Sequence, residues 1–207
     1  MPAMRALLAV LAVAATTPGV HHTPAGMTAA HRALLVRAEL GAGWSSGATP
    51  KAPGALACGT PRSLKGVVET GAAVSPTYRA TSSGPFISSS AYVYNSAAGA
   101  ASFFTKIAKP QALTCLAQSL TAGKSATGVT FTIVKRQTLP TPHVSAAAAA
   151  YRIVGRASVQ AQRVTVYADI VVMQRGGTIG EVSFASFSTP LGVATEQRIA
   201  RAAAARL

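Results

Sequence analysis

Carboxylate groups are scarce in this sequence, whose 207 residues include 5 Asp and Glu against 19 Lys and Arg, a formal net charge of +14. Only Asp169 and Glu181 lie in neighbouring predicted strands and can share one face of a sheet. If Arg175-Gly176-Gly177 forms a three-residue loop, the two carboxylates are diagonal neighbours, roughly 7 to 8 Å apart between their Cα atoms. Such a pair can supply the general acid and base of a secreted hydrolase.

A structural ion pair is the better interpretation of Asp169. If Gln160-Ala161 is the turn between the two preceding strands, Arg152 lies directly opposite Asp169 and neutralises it. The sequence contains no Gly-x-Ser-x-Gly elbow, Walker loop or His-Glu-x-x-His helix. So few acids also leave little material for a magnesium cage or an EF-hand loop. We therefore expect no catalytic residue, no cofactor and no metal site.

The chain has two cysteines, Cys58 and Cys115. Because an oxidising compartment favours a disulfide over free thiols, an even count in an exported protein predicts a Cys58–Cys115 bridge. The alternative is a catalytic cysteine with a histidine partner. Only His31 and His143 lie within the predicted folded body, and nothing local marks either cysteine as activated, so the disulfide is the preferred interpretation.

Residues 1–15 have the pattern of a signal peptide. Arg5 precedes an apolar run over residues 6–15, and Thr16 to Gly19 then break it. The run is too short to cross a bilayer, which requires about 20 apolar residues. We therefore expect a secreted or extracellular protein, free or associated with the cell wall, without a transmembrane span in its mature form.

The remaining chain is predicted to be a flexible lead-in at 16–27 and a single α+β domain at 28–207. Hydrophobic periodicity predicts helices at 29–40, 97–109, 111–120 and 190–207, and strands at 73–82, 86–95, 128–138, 147–158, 163–174 and 178–187. Short connections imply antiparallel pairing. The expected fold is an antiparallel sheet of about six strands with helices packed mainly on one face and a C-terminal helix.

The last hairpin has two possible registers. A three-residue loop over Arg175-Gly176-Gly177 makes Gln174 face Thr178 and aligns the apolar faces of the two strands. A two-residue Gly-Gly turn instead points Val182 and Phe184 to the opposite face. The bulged loop is preferred because it places all the alternating apolar residues on one side.

Several short motifs follow one another in a definite order along residues 28–207. They are Leu34-Leu35 through Leu40-Gly41-Ala42-Gly43-Trp44, Cys58, Tyr92-Val93-Tyr94-Asn95-Ser96-Ala97-Ala98, Phe103-Phe104, Cys115, Tyr151-Arg152, Asp169-Ile170-Val171-Val172, Arg175-Gly176-Gly177 and Ala203–Leu207. No single motif is specific, but their order resembles the extracellular sensor-domain family named after the mycobacterial Ser/Thr kinase PknH. The resemblance implies a non-enzymatic ligand-sensing or binding domain of the cell envelope, with a cleft beside the sheet for a lipid or cell-wall ligand.

The excess of positive charge suggests a second function, adhesion to anionic polymers of the cell envelope. The candidate contacts are Arg136, Arg152, Arg156, Arg198 and Arg201. Strand alternation places two of them, Arg152 and Arg156, on the same face. The alternative is that these side chains bind no partner and form a solvated surface that keeps the protein soluble. No basic run and no stacking aromatic platform appears, so specific recognition of nucleic acid is not expected.

Overall fold

A computed structural model of the chain describes residues 20–50, 66–111, 113–114, 117, 130–141, 143–144, 147–159 and 162–207. The helices are α1 (Pro24–Arg32), a 3-10 helix (Arg37–Leu40), α2 (Ala97–Ile107) and α3 (Val193–Arg206). The strands are β1 (Ser45–Ser46), β2 (Glu69–Val74), β3 (Tyr78–Arg79), β4 (Phe86–Tyr94), β5 (Thr130–Leu139), β6 (Ala147–Val159), β7 (Gln162–Arg175) and β8 (Thr178–Phe187). The predicted signal peptide at 1–15, Cys58 and Cys115 lie outside the described residues.

The strands form one antiparallel sheet in the order β1-β3-β4-β8-β7-β6-β5, and β2 also pairs with β4. The α+β class and the antiparallel pairing are confirmed, but the described sheet has eight strands rather than about six. The strand expected at 73–82 divides into β2 and β3, which pair with different parts of β4. Pro76 lies between them, where a residue without an N–H cannot continue the ladder. The short β1 adds the remaining strand.

The hairpin between β7 and β8 turns on two residues, Gly176 and Gly177. Arg175 pairs with Thr178, so the expected pairing of Gln174 with Thr178 is wrong. Gly176 has a φ of +56°, which glycine adopts without the steric cost of a side chain. A shift of one residue moves every β8 side chain to the other face of the sheet.

This register is possible because both faces of β8 are buried. On the side that we call the α2 face, Phe103 of α2 packs in one core cluster with Ile170 of β7. On the opposite side, the α3 face, Ile199 of α3 packs in a second cluster that includes Val182 and Phe184. The 3-10 helix joins the α3 face, and α1 covers the β2–β4 end of it. Helices therefore lie mainly on one face, as expected, but α2 covers the other.

Part of the segment that was expected to be a flexible lead-in, residues 16–27, has regular structure. His21 and Thr23 donate their main-chain N–H groups to carbonyl oxygens of β2, at 2.9 and 2.8 Å. The Thr23 hydroxyl caps α1, and Pro24 occupies its first turn, where the missing N–H costs nothing. The helix therefore begins at Pro24 rather than after Thr28, and it ends at Arg32 instead of continuing to residue 40.

Helix α1 and strand β2 approach each other through their backbones. A Cβ atom at Gly71 would overlap the main-chain carbonyl of Gly26, which cannot move aside without displacing the helix. We expect Gly71→Ala to lower the free energy of unfolding by about 2 kcal/mol in urea denaturation. Gly192→Ala is the control, because a Cβ there meets nothing within 4 Å. Equal stability of the two variants would contradict the backbone contact.

Strand β5 ends the described sheet order and pairs with β6 alone. Its register shifts between Ile133 and Lys135, so β5 carries a bulge in the middle of its length. Val134, at the bulge, is 55% exposed. The neighbouring Lys135 and Arg136 are exposed as well.

Candidate functional site

Arg152 of β6 and Asp169 of β7 face each other across the sheet, in the register that the sequence predicts. Arg152 donates from Nε to Oδ1 and from Nη2 to Oδ2 of Asp169, both at 2.6 Å. Such a two-point contact is among the strongest hydrogen-bonded ion pairs in proteins. Asp169 is only 2% exposed, so the pair lies inside the protein. The Arg152 guanidinium also lies 5.9 Å from the centre of the Tyr167 ring.

Glu196 of α3 completes what we call the buried triad: Arg152, Asp169 and Glu196. Arg152 Nη2 donates to Glu196 Oε1 at 3.2 Å. Glu196 lies one turn before Ile199 and two turns before Ala203, which bury the same helix face. The helical spacing of Glu196, Ile199 and Ala203 is visible in the sequence, but the sequence prediction did not include Glu196 among the inward-facing residues of this helix.

The buried triad contains two carboxyl groups and one cation. Burial raises the pKa of Glu196 to about 8, and the hydrogen bond and negative charge of Asp169 act in the same direction, against the opposing effect of Arg152. The Asp169 hydrogen bond raises the pKa of Arg152. At neutral pH, Glu196 therefore keeps its proton while Arg152 neutralises Asp169.

The space beside the buried triad is small. A cavity of about 20 Å³ is lined by Glu196 and Gln197 together with apolar residues, among them Leu139, Ala150 and Val171. A volume of this size holds about one water molecule. Both Asp169 oxygens already accept hydrogen bonds from Arg152. The triad therefore fixes α3 on the sheet.

The structure does not bring Asp169 and Glu181 together. Asp169 pairs with Phe184 and Glu181 pairs with Val172, which places the two carboxylates on opposite faces. The expected placement of Asp169 and Glu181 on one face, on which the less favoured acid–base interpretation depended, is therefore wrong, because the two-residue turn reverses the faces of β8. On the α2 face, Glu181 is buried and accepts a hydrogen bond from the Ser183 hydroxyl at 2.8 Å.

A further buried acid, Glu69, meets the segment that was expected to be flexible. His22 Nε2 lies 3.0 Å from Glu69 Oε1. Burial raises the pKa of Glu69, and the hydrogen bond and charge of His22 oppose that effect. Close to Glu69 in the sheet, burial raises the pKa of Tyr94, whose hydroxyl has no hydrogen-bond partner among the described residues.

All five acids of the chain lie among the described residues, and each is buried or paired. Four are at most 5% exposed: Glu69, Asp169, Glu181 and Glu196. The fifth, Glu39, forms an ion pair of 3.2 Å with Arg206 and accepts the main-chain N–H of Val36. The exposed charge of the molecule is therefore almost entirely positive.

The five arginines proposed as contacts for an anionic partner do not form one patch. Arg152 belongs to the buried triad, and Arg198 donates to the carbonyl oxygens of Glu39 and Leu40 at 2.9 and 3.1 Å. The other three are exposed at separate places: Arg156 on the α3 face, Arg136 on the α2 face and Arg201 on helix α3.

Comparison with known proteins gives no family: no protein-family model and no curated protein matches this chain. Within the described ranges, no helix is long and apolar enough to cross a membrane. In the same part of the chain, no three His, Cys, Asp or Glu side chains are grouped so that they could hold a metal ion. The predicted Cys58–Cys115 disulfide lies outside the described residues and stays a prediction.

Proposed function

We propose that this protein is an exported, non-enzymatic domain that binds anionic polymers of the cell envelope through its positively charged surface. The observation that supports this function is the location of the acids. Because all five are buried or paired, the exposed lysines and arginines have few carboxylates to neutralise them. Export is the part of the proposal that depends on the predicted signal peptide at residues 1–15.

The physical basis of this binding is long-range attraction followed by release of counterions. A surface of one sign attracts a polyanion and raises the rate of encounter. Salt weakens the attraction, because the Debye length is about 10 Å at 0.1 M ionic strength. Binding that depends on such a surface therefore decreases steeply as salt is added.

The ligand-sensing cleft implied by the family resemblance stays a prediction. The cavity beside Glu196 holds about one water molecule, which does not favour a lipid-sized ligand at that place. Charge is the feature of the described residues that gives the stronger support, and we therefore prefer adhesion to an anionic polymer over recognition of a small ligand.

Titration of the purified protein with long-chain inorganic polyphosphate tests the proposal, with neutral dextran as the control polymer. We expect the protein to bind polyphosphate at about 50 mM NaCl and its affinity to decrease about tenfold or more at about 200 mM NaCl. Dextran should show no binding at either salt concentration. Absence of polyphosphate binding at low salt, or binding that salt does not weaken, would contradict the proposed function.

A further inference from the structure

Three exposed cations lie on neighbouring strands of the α3 face: Lys135 of β5, Arg156 of β6 and Arg163 of β7. We call them the basic diagonal. Lys135 pairs with Val154, which stands two residues before Arg156 on β6, so Lys135 and Arg156 share a face. Arg156 in turn pairs with Thr165, which stands two residues after Arg163 on β7.

The three cations are arranged in one line. Arg156 lies on the strand next to Lys135 and is displaced from the position opposite Lys135 by two residues along β6, which keeps both side chains on one face. Arg163 lies on the next strand and is displaced from the position opposite Arg156 by two residues. Because β6 and β7 are antiparallel, this displacement has the same direction as the first. Diagonal neighbours of this kind lie about 7 to 8 Å apart at their Cα atoms. The positions between them carry hydroxyl groups, including exposed Thr132 and half-buried Thr165.

No carboxylate neutralises the basic diagonal. Asp169 is the nearest acid in the register of this face, and Arg152 already binds both of its oxygens. The second acid of the buried triad, Glu196, accepts a hydrogen bond from Arg152 at 3.2 Å, and its pKa, raised to about 8, favours the protonated form at neutral pH. A ligand on the basic diagonal therefore meets three uncompensated positive charges at regular spacing.

We propose that the basic diagonal is the main contact surface for the anionic polymer, and that this polymer is a linear chain bearing phosphate groups; this inference rests on the proposed function. Arg156 and Arg163 have planar guanidinium groups that fit two phosphate oxygens at once, and Lys135 adds a point charge. Adjacent threonine hydroxyls supply further donors. A line of evenly spaced cations matches a chain with repeated charges better than it matches the plane of a bilayer surface.

A matched pair of triple variants tests this assignment. The first removes the basic diagonal: Lys135→Gln, Arg156→Gln and Arg163→Gln. The second removes the same charge from exposed residues elsewhere: Lys106→Gln, Arg136→Gln and Arg201→Gln. All six side chains are exposed, so both variants are expected to fold, which thermal unfolding followed by circular dichroism checks. The probe is fluorescent long-chain inorganic polyphosphate at about 100 mM NaCl, near physiological ionic strength.

We expect the diagonal variant to bind polyphosphate at least about tenfold more weakly. The slope of log K against log salt concentration should decrease in magnitude by about 2 to 3, the value for three phosphate contacts. The control variant should stay within about threefold of the unmodified protein, since its charges act only at long range. Equal weakening in both variants would overturn the assignment but leave the proposed function standing. If the unmodified protein binds no polyphosphate, the proposed function itself fails.

Vesicles with phosphatidylglycerol distinguish a polymer from a membrane. We expect the diagonal variant and the control variant to differ on polyphosphate and to behave alike on these vesicles. If the diagonal variant instead loses vesicle binding while it keeps polyphosphate binding, the contact surface serves a membrane and the linear polymer is the wrong partner.

Discussion

Replacement of Arg152 by Met is expected to lower the free energy of unfolding by about 4 kcal/mol at pH 7, because it leaves a buried carboxylate without its partner. Asp169 is 2% exposed and receives both hydrogen bonds of the two-point contact from Arg152. Met keeps the length and the apolar stem of the side chain, so the loss reports on charge rather than on a cavity. Urea denaturation followed by circular dichroism measures the change.

Arg156→Met is the matched control for this experiment. Arg156 lies on the same strand and the same face as Arg152, but it is exposed. Its replacement is expected to change the free energy of unfolding by no more than about 0.5 kcal/mol. A second substitution, Asp169→Asn, should recover part of the loss in Arg152→Met, because it removes the unpaired charge. If Arg152→Met is as stable as Arg156→Met, the buried pair does not hold the fold.

The stability of the protein is expected to decrease as the pH rises from about 5 to 9. The pKa of Glu196 is raised to about 8 in the folded protein, above its ordinary value of 4.5. The folded state therefore holds a proton that the unfolded state releases, and this contribution is fully present below pH 4.5. It is lost as the pH rises through about 8, with a total on the order of 5 kcal/mol. Thermal unfolding across this pH range measures the effect.

Glu196→Gln separates this effect from other titrations. The amide resembles the protonated carboxyl group, so the variant should match the unmodified protein near pH 5 and exceed its stability near pH 9. The buried carboxyl of Glu69 has a raised pKa too, and it leaves a smaller slope of the same sign in the variant. If Glu196→Gln keeps the pH slope of the unmodified protein, the proton held by Glu196 is not the cause of that slope.

The last third of the chain was the most predictable part of the fold. Strand β8 lies at the expected residues, and β6 and β7 differ from the predicted ranges by one residue at their ends. The pairing of Arg152 with Asp169 was also predicted, because a two-residue period fixes which side chains share a face. Local pattern was sufficient where each strand continued for ten residues or more.

The hairpin register was not predictable from the same pattern. A strand with one buried face shows clear alternation, and its register follows from that alternation. In β8, residues 179–186 are all buried, so its sequence does not favour one face over the other. The choice depends on α2 and α3, which cover opposite sides of the sheet. Such information comes only from the tertiary structure, and without it Asp169 and Glu181 were wrongly placed on the same face of the sheet.

The candidate site shows the same limit. Glu196 lies on the inward stripe of α3, but only the docking of that helix places it beside Arg152. The sequence also did not show which cations are engaged, since Arg198, although exposed, donates hydrogen bonds to two main-chain carbonyl oxygens. The number of charges can be counted from the sequence, but the fold determines which of them are paired with other groups.

The bulge in β5 has a consequence for how the protein behaves at high concentration. An outer strand offers unpaired N–H and C=O groups to which the same strand of another molecule can add. The register shift between Ile133 and Lys135 interrupts that row, and exposed Lys135 and Arg136 place two positive charges beside the break. Two molecules that approached edge to edge would meet a distorted ladder and like charges. We therefore expect the same lysine that begins the basic diagonal to disfavour edge-to-edge association of two molecules.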